Sequence, residues 1–396
     1  MATLLNIQEP PWPAPGGFAL FALGFRPFYL LASAFGALSV ALWALQFSGV
    51  LSQPYLAGPL WHAHEMLFGF TLAVVVGFLF TAGQNWTGLP TPNGWRLAAL
   101  AALWVAARVL VLTPYGVAAA AANVAFPLAA AVSLAVPFLK ARNKRNYFFI
   151  GLLGLLALAA AFIHLSQLGL VNAPAWPGIR VSLDVVLFIL AVMGGRVIPM
   201  FTNNGVPGAG ASRQPHIEKA ALGAVLALLG ADVAGLQGWP VAAIAAVAFV
   251  AHTWRWALWR PWKTLRTPLV WVLQLAYAWV PIHLLLRGFG ELGVVASTSA
   301  THALTVGAVG GLIIGMMTRT ARGHTGRPLR ADRYETACYV MVALSAVVRV
   351  AAPLASPALT LHAVLASAAL WSAAFGLYTV RYWPVLSRPR LDGRPG

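Results

Sequence analysis

Two stretches far apart in the chain place imidazoles where a helix would be entering apolar surroundings. Trp61-His62-Ala63-His64-Glu65-Met66-Leu67-Phe68-Gly69 opens an apolar run that reaches about Ala82, and His302-Ala303-Leu304-Thr305-Val306-Gly307 opens another with the same His-x-x-x-x-Gly spacing. Ionisable groups at such places are costly and are usually paired or functional. Of the nine histidines, His362 also starts an apolar run, while His164 and His283 end two others. Imidazole is the commonest metal ligand and ligates while neutral, which suits a low-dielectric site. The single cysteine, Cys338, lies inside an apolar run. Any metal must therefore rest on His, Asp, Glu, Met or backbone, and disulfides are excluded.

The elements that must position these groups are membrane helices. Hydrophobic residues make up 60% of the chain and charged residues 9%, the composition of an integral membrane protein. About 20 apolar residues cross a bilayer, and Gly, Pro and Arg divide the chain into twelve such segments at 18–45, 60–83, 95–112, 115–139, 147–170, 179–201, 217–236, 239–259, 268–287, 295–318, 334–353 and 357–383. The sequence thus predicts one all-α integral membrane domain, 1–396, with twelve transmembrane helices. Most Lys and Arg fall on one side, in Lys140 to Arg145, Arg255 to Arg266, Arg319 to Arg333 and the tail from Arg381 to Arg394. The positive-inside rule places both termini in the cytoplasm. The net charge of +17 is then topogenic, and no nucleic-acid partner is expected. The Pro-rich residues Met1 to Gly17 read as a cytoplasmic lead, not a signal peptide.

Three segments end alike, in Thr and polar residues followed by Gly-x-Pro: Phe80-Thr81 to Pro90, Phe201-Thr202 to Pro207, and Met317-Thr318 to Pro328. His64 precedes Pro90 by 26 residues and His302 precedes Pro328 by 26. Ile163-His164-Leu165 and Ile282-His283-Leu284 end the fifth and ninth segments, and Thr253-Trp254-Arg255 and Thr379-Val380-Arg381 the eighth and twelfth. Periodicity of this kind implies a pseudo-threefold repeat of four-helix units, placed at 18–145, 146–266 and 267–385. In the middle unit Asp184 stands near the depth where the others have histidine.

This topology brings His62, His64, His164, His283, His302 and His362, with Glu65 and Asp184, to the outer face. Two helices each offering one imidazole across a bundle hold a b-type haem axially, so His64 and its repeat partner His302 are the expected haem ligands. Residues two apart on a helix point about 200° apart. His62 is then free for a second centre with His164 and His283, a set that suits copper or zinc. The opposite ends carry Arg26, Asn85, Arg196, Asn203, Arg319 and His324, read as helix caps and anchors, as a proton or anion entry route, or as contacts for haem propionates. Gly307, Gly310, Gly311 and Gly315 permit close helix packing or room for a flat macrocycle.

Phe25-Arg26-Pro27-Phe28, Trp61 to Met66, Asn85-Trp86-Thr87-Gly88, Gly195-Arg196-Val197-Ile198-Pro199-Met200-Phe201-Thr202 and Thr318-Arg319 with Gly323-His324-Thr325-Gly326-Arg327-Pro328 resemble the NnrS family along nearly the whole chain. That resemblance implies a twelve-helix protein of the bacterial inner membrane that contains haem and copper and acts in the response to nitric oxide and nitrosative stress. The triplicated plan is also similar to the catalytic subunit of haem-copper oxidases and nitric oxide reductases, where helices two and ten supply the axial pair to a haem. This sequence departs from it: the copper histidine of helix six and the adjacent His-His pair are absent, and helix ten has His302 alone. The expected function is nitric oxide tolerance or metabolism at a metal site near the outer face, drawing on an electron donor. Alternatives from other classes are a secondary transporter and a haem or metal delivery protein without turnover.

Overall fold

The computed structural model describes residues 17–51, 55–56 and 58–393; the N-terminal lead up to residue 16 and Arg394 lie outside them. The described residues form no strand. Twelve long helices account for most of them: α1 (Phe25–Phe47), α2 (Gly58–Thr87), α3 (Gly94–Leu110), α4 (Gly116–Lys140), α5 (Phe148–Gln167), α6 (Trp176–Gly205), α7 (Pro215–Val233), α8 (Trp239–Leu258), α9 (Pro268–Glu291), α10 (Ser297–His324), α11 (Arg333–Ala355) and α12 (Thr360–Ser387). Each falls on one of the twelve apolar segments. Ten are long and apolar enough to cross a membrane. The other two fall short for visible reasons: α3 has 17 residues, and α7 carries Glu218, Lys219 and Asp232 within 19.

These helices are apolar all round, as helices buried in a large protein or in lipid must be. Leu38, Val117, Val132, Leu158, Val247 and Val250 are left exposed on their outward faces, a belt that an apolar solvent must cover. Prolines inside α4, α6, α9, α11 and α12 are tolerated where neighbouring helices re-satisfy the freed backbone groups. Helix α11 opens with a full capping box: the Asp332 carboxylate accepts from the Tyr334 and Glu335 backbone N–H groups, and Glu335 accepts from the Asp332 N–H.

The first and last helices pack along each other and close the bundle. The Trp371 indole donates to the Gly36 carbonyl at 3.1 Å, Ser372 to Ala37 at 2.8 Å, and Thr379 to Ser33 at 2.8 Å. The two ends of the described chain meet on one side, where Ala19 donates its N–H to Ser387 and Arg26 donates to the carbonyls of Leu386 and Arg388. The three repeated threonines all lie in the interior. Thr81 receives the Phe25 N–H that starts α1, and Thr202 receives the Gln274 amide of α9. Thr318 bonds back to the Ile314 carbonyl one turn earlier. Thr81 and Thr202 thus mark helix docking.

Candidate functional site: paired imidazoles beside two π-helical turns

Helix α2 does not run as a regular α-helix from end to end. Residues Glu65–Thr71 form π-helical turns directly after His64, and in α10 the π-helical residues Ala303–Gly310 start directly after His302. A π turn inserts extra backbone per turn, rotates the side chains that follow, and occurs often at functional sites. Its recurrence at the same step after a histidine in both helices is structural likeness that neither sequence pattern alone displays.

His62 and His64 go to different neighbours, as their spacing requires. His62 stacks on Trp43 of α1, with centroids 4.8 Å apart and planes 14° from parallel. His64 is fully buried and meets His164 of α5 edge to face, with centroids 4.9 Å apart. Its Nδ1 lies 2.8 Å from Glu65 Oε1, and the same oxygen accepts from Arg108 Nη1 of α3 at 2.5 Å. Arg108 also donates to the Asn123 side chain of α4. A carboxylate held by a guanidinium is an acceptor only, so Nδ1 carries the proton and Nε2 presents a lone pair. His164 is likewise buried, with Nδ1 3.0 Å from the Tyr55 hydroxyl. Both Nε2 atoms, of His64 and of His164, are buried without a hydrogen-bond partner. Outside the helices, burial pushes the Tyr55 hydroxyl up to about 12, so it stays protonated beside His164.

The other expected residues are dispersed. His302 is partly buried; its Nδ1 donates to the Thr298 carbonyl at 2.7 Å, and it lies within electrostatic reach of His62 and Arg349. His283 donates from Nδ1 to the Ala300 carbonyl at 2.8 Å, leaving its Nε2 buried and unpartnered. Asp184 is tied at 2.6 Å to Arg287, which also holds Asp232 at 2.7 Å. His362 is exposed. At the opposite ends of the helices, Arg196 donates to Asn146 at 2.7 Å over the rings of Trp86, Phe148 and Phe149. Arg319 sits 3.8 Å above the Phe201 ring, and the His324 ring packs 5.6 Å from Phe25. Asn203 pins the following loop through Ala211. His252, satisfied by Tyr277 and the Ala221 carbonyl, is structural.

The structure thus brings His64 to His164 and His62 towards His302, a different pairing from the one repeat symmetry suggests. It does not gather His62, His164 and His283. Among the described residues no group of three or more His, Cys, Asp or Glu side chains is arranged to hold a metal ion. The space beside Gly307 and Gly310 is filled by the indoles of Trp279 and Trp371: a Cβ at either glycine would come within 2.4 Å of those rings. Two neighbouring imidazoles with bare Nε2 atoms fit a metal ion held by nitrogen ligands. The His64 ring turned to His164, with tryptophans beside the glycines, does not present His64 and His302 to the two faces of a macrocycle.

Sequence reasoning left Arg108, Asn123, Tyr55, Asp232, Arg287 and Arg349 without roles. A signal was available for three of them. Arg108, Asp232 and Arg349 each stand near the end of the third helix of a unit, where an unpaired charge is costly, and in the structure the first two reach a carboxylate chain around Glu65 and Asp184.

Such an architecture, apolar helices around a buried imidazole pair, defines a multi-pass membrane protein with a candidate metal centre. The sequence profile described as NnrS protein matches residues 19–390. The chain belongs to the NnrS family. No curated protein matches it.

Proposed function

We propose that this chain is an inner-membrane protein of the nitric oxide response that holds a redox metal, copper by preference, between His64 and His164. The observation that carries the reading is the pair of buried, unpartnered Nε2 atoms on adjacent rings. Metal-bound histidines characteristically give their other ring N–H to a carboxylate or carbonyl that fixes tautomer and direction; Glu65 does this for His64, with Arg108 holding Glu65 in turn. Haem b is the second proposed cofactor, implied by the family. His302, whose Nδ1 bond to Thr298 leaves Nε2 bare, is the imidazole available to it once His64 serves the other metal.

The chain's own residues do three things at this site. Glu65 and Tyr55 orient the two imidazoles, Arg108 holds the Glu65 carboxylate in place, and the buried rings of Trp61 and Phe68 exclude water. A metal bound there would supply a redox centre with coordination positions left for a small uncharged molecule such as nitric oxide. The π turns of α2 and α10 both follow a histidine in the same chain direction. A parallel relation of this kind supports a metalloprotein over a secondary transporter built on inverted repeats.

Purified protein should show copper by elemental analysis and a haem absorption spectrum that changes on reduction and on addition of nitric oxide. His302→Ala should remove the haem signal and keep the copper. A protein free of both metals after expression with copper and haem in supply would refute the proposal.

A further inference from the structure

A cavity of about 570 Å³ opens between α6, α9, α10 and the start of α8, apart from the imidazole pair. His283, Arg287 and Glu291 recur every four residues and so share the face of α9 that lines it, opposite Asp184 and Arg180 of α6.

Its buried unsatisfied atoms are all acceptors. Asp184 uses Oδ1 for Arg287, and its Oδ2 is buried without a hydrogen-bond partner; Asp232, behind Arg287, turns Oδ1 to Arg180 at 4.0 Å. The His283 Nδ1–H is spent on the Ala300 carbonyl, so the neutral ring offers a lone pair at Nε2. His283 and Asp184 are 4% and 1% exposed. Buried polar groups of this kind are costly unless a partner meets them. Three carboxyl groups, Asp184, Asp232 and Glu291, stand in or behind the cavity wall with two guanidiniums, Arg180 and Arg287. The missing occupant therefore brings N–H or O–H donors and a positive charge. Zinc asks for three or four protein ligands, and no such group stands among the described residues. An ammonium group asks only for acceptors at hydrogen-bond distance.

We propose that this cavity binds small primary ammonium compounds, the ammonium N–H groups donating to Asp184 Oδ2 and His283 Nε2.

The test is calorimetric titration of the full chain in detergent with methylammonium and with ethanolamine, against tetramethylammonium at equal ionic strength and against zinc. Saturable binding of the first two and none of tetramethylammonium, which has the charge without the N–H donors, is the expected result. His283→Asn keeps a side-chain donor for the Ala300 carbonyl and deletes Nε2, and it should weaken methylammonium at least about tenfold, one charge-assisted hydrogen bond. Asp184→Asn should do the same, although it also loosens Arg287, so His283→Asn decides. Absence of saturable methylammonium binding, equal binding of tetramethylammonium, or unchanged affinity in His283→Asn overturns the proposal. So does zinc binding lost in His283→Asn without any ammonium binding, which makes the cavity a dication site.

Discussion

His64 is aimed by its own neighbour in sequence. Glu65 holds its Nδ1, and Arg108, 43 residues further on, holds Glu65. Removing such an outer partner typically lowers metal affinity 10–100-fold. Glu65→Gln should therefore weaken copper by about that factor in a competition titration while the helical circular dichroism stays at the wild-type level. Arg108→Met strips the counter-charge from a carboxylate that is 1% exposed, and breaking a buried pair costs about 3–5 kcal/mol. The variant should unfold at a markedly lower temperature in detergent, and Glu65→Gln/Arg108→Met should recover part of the loss. The residue types and depths of this site were legible in the sequence, because histidine and carboxylate in apolar runs stand out. Their pairing was not: symmetry of the repeats joined His64 to His302, whereas the partner is fixed by the helix end against which the His64 ring packs, and that carries His164.

At the scale of the element, the π turns of α2 and α10 and the tryptophans beside α10 belong together. Trp279 and Trp371 fill the grooves that Gly307 and Gly310 leave open. Gly310→Ala should lower the melting temperature, by the 1–3 kcal/mol typical of overpacking, and Trp371→Phe in the same chain should restore part of it, a coupling expected of residues in contact. The run of glycines was visible in the sequence, but helix packing and room for a macrocycle both answered to it; the structure fills the space with indole. The α11 capping box was not singled out, although Asp332 and Glu335 have the spacing for one. Partial burial pushes the Asp332 carboxyl up, but the backbone N–H groups of Glu335 and Tyr334 and the Arg381 guanidinium outweigh it and hold the group below its ordinary range. A depressed carboxyl stabilises fully above its unfolded pKa of about 3.9, and that contribution fades as pH falls through the folded value. Asp332→Asn should therefore be less stable than wild type at neutral pH and should lose less on acidification; parallel melting curves from pH 7 to 3 check this.

In the whole molecule, α1 and α12 close the bundle and the chain's described ends meet at Arg26. That residue is fully buried and donates to two carbonyls at the end of α12, those of Leu386 and Arg388. Arg26→Met should cost about 1–3 kcal/mol in hydrogen bonds to a charged group, read as a lower melting temperature. Arg26 was singled out from its sequence motif, and its present role is to tie the ends. All twelve helices were legible as apolar segments, because lipid-facing and core-facing residues are both hydrophobic and only turns interrupt them. The same uniformity hides which helices touch, since every face reads alike. The central claim is that His64 and His164 hold one metal ion together. Copper per chain, measured after saturation and desalting in wild type, His64→Ala, His164→Ala and His252→Ala, tests it most directly. The account predicts copper in wild type and His252→Ala and its loss in both of the other variants; full copper in either His64→Ala or His164→Ala would contradict it.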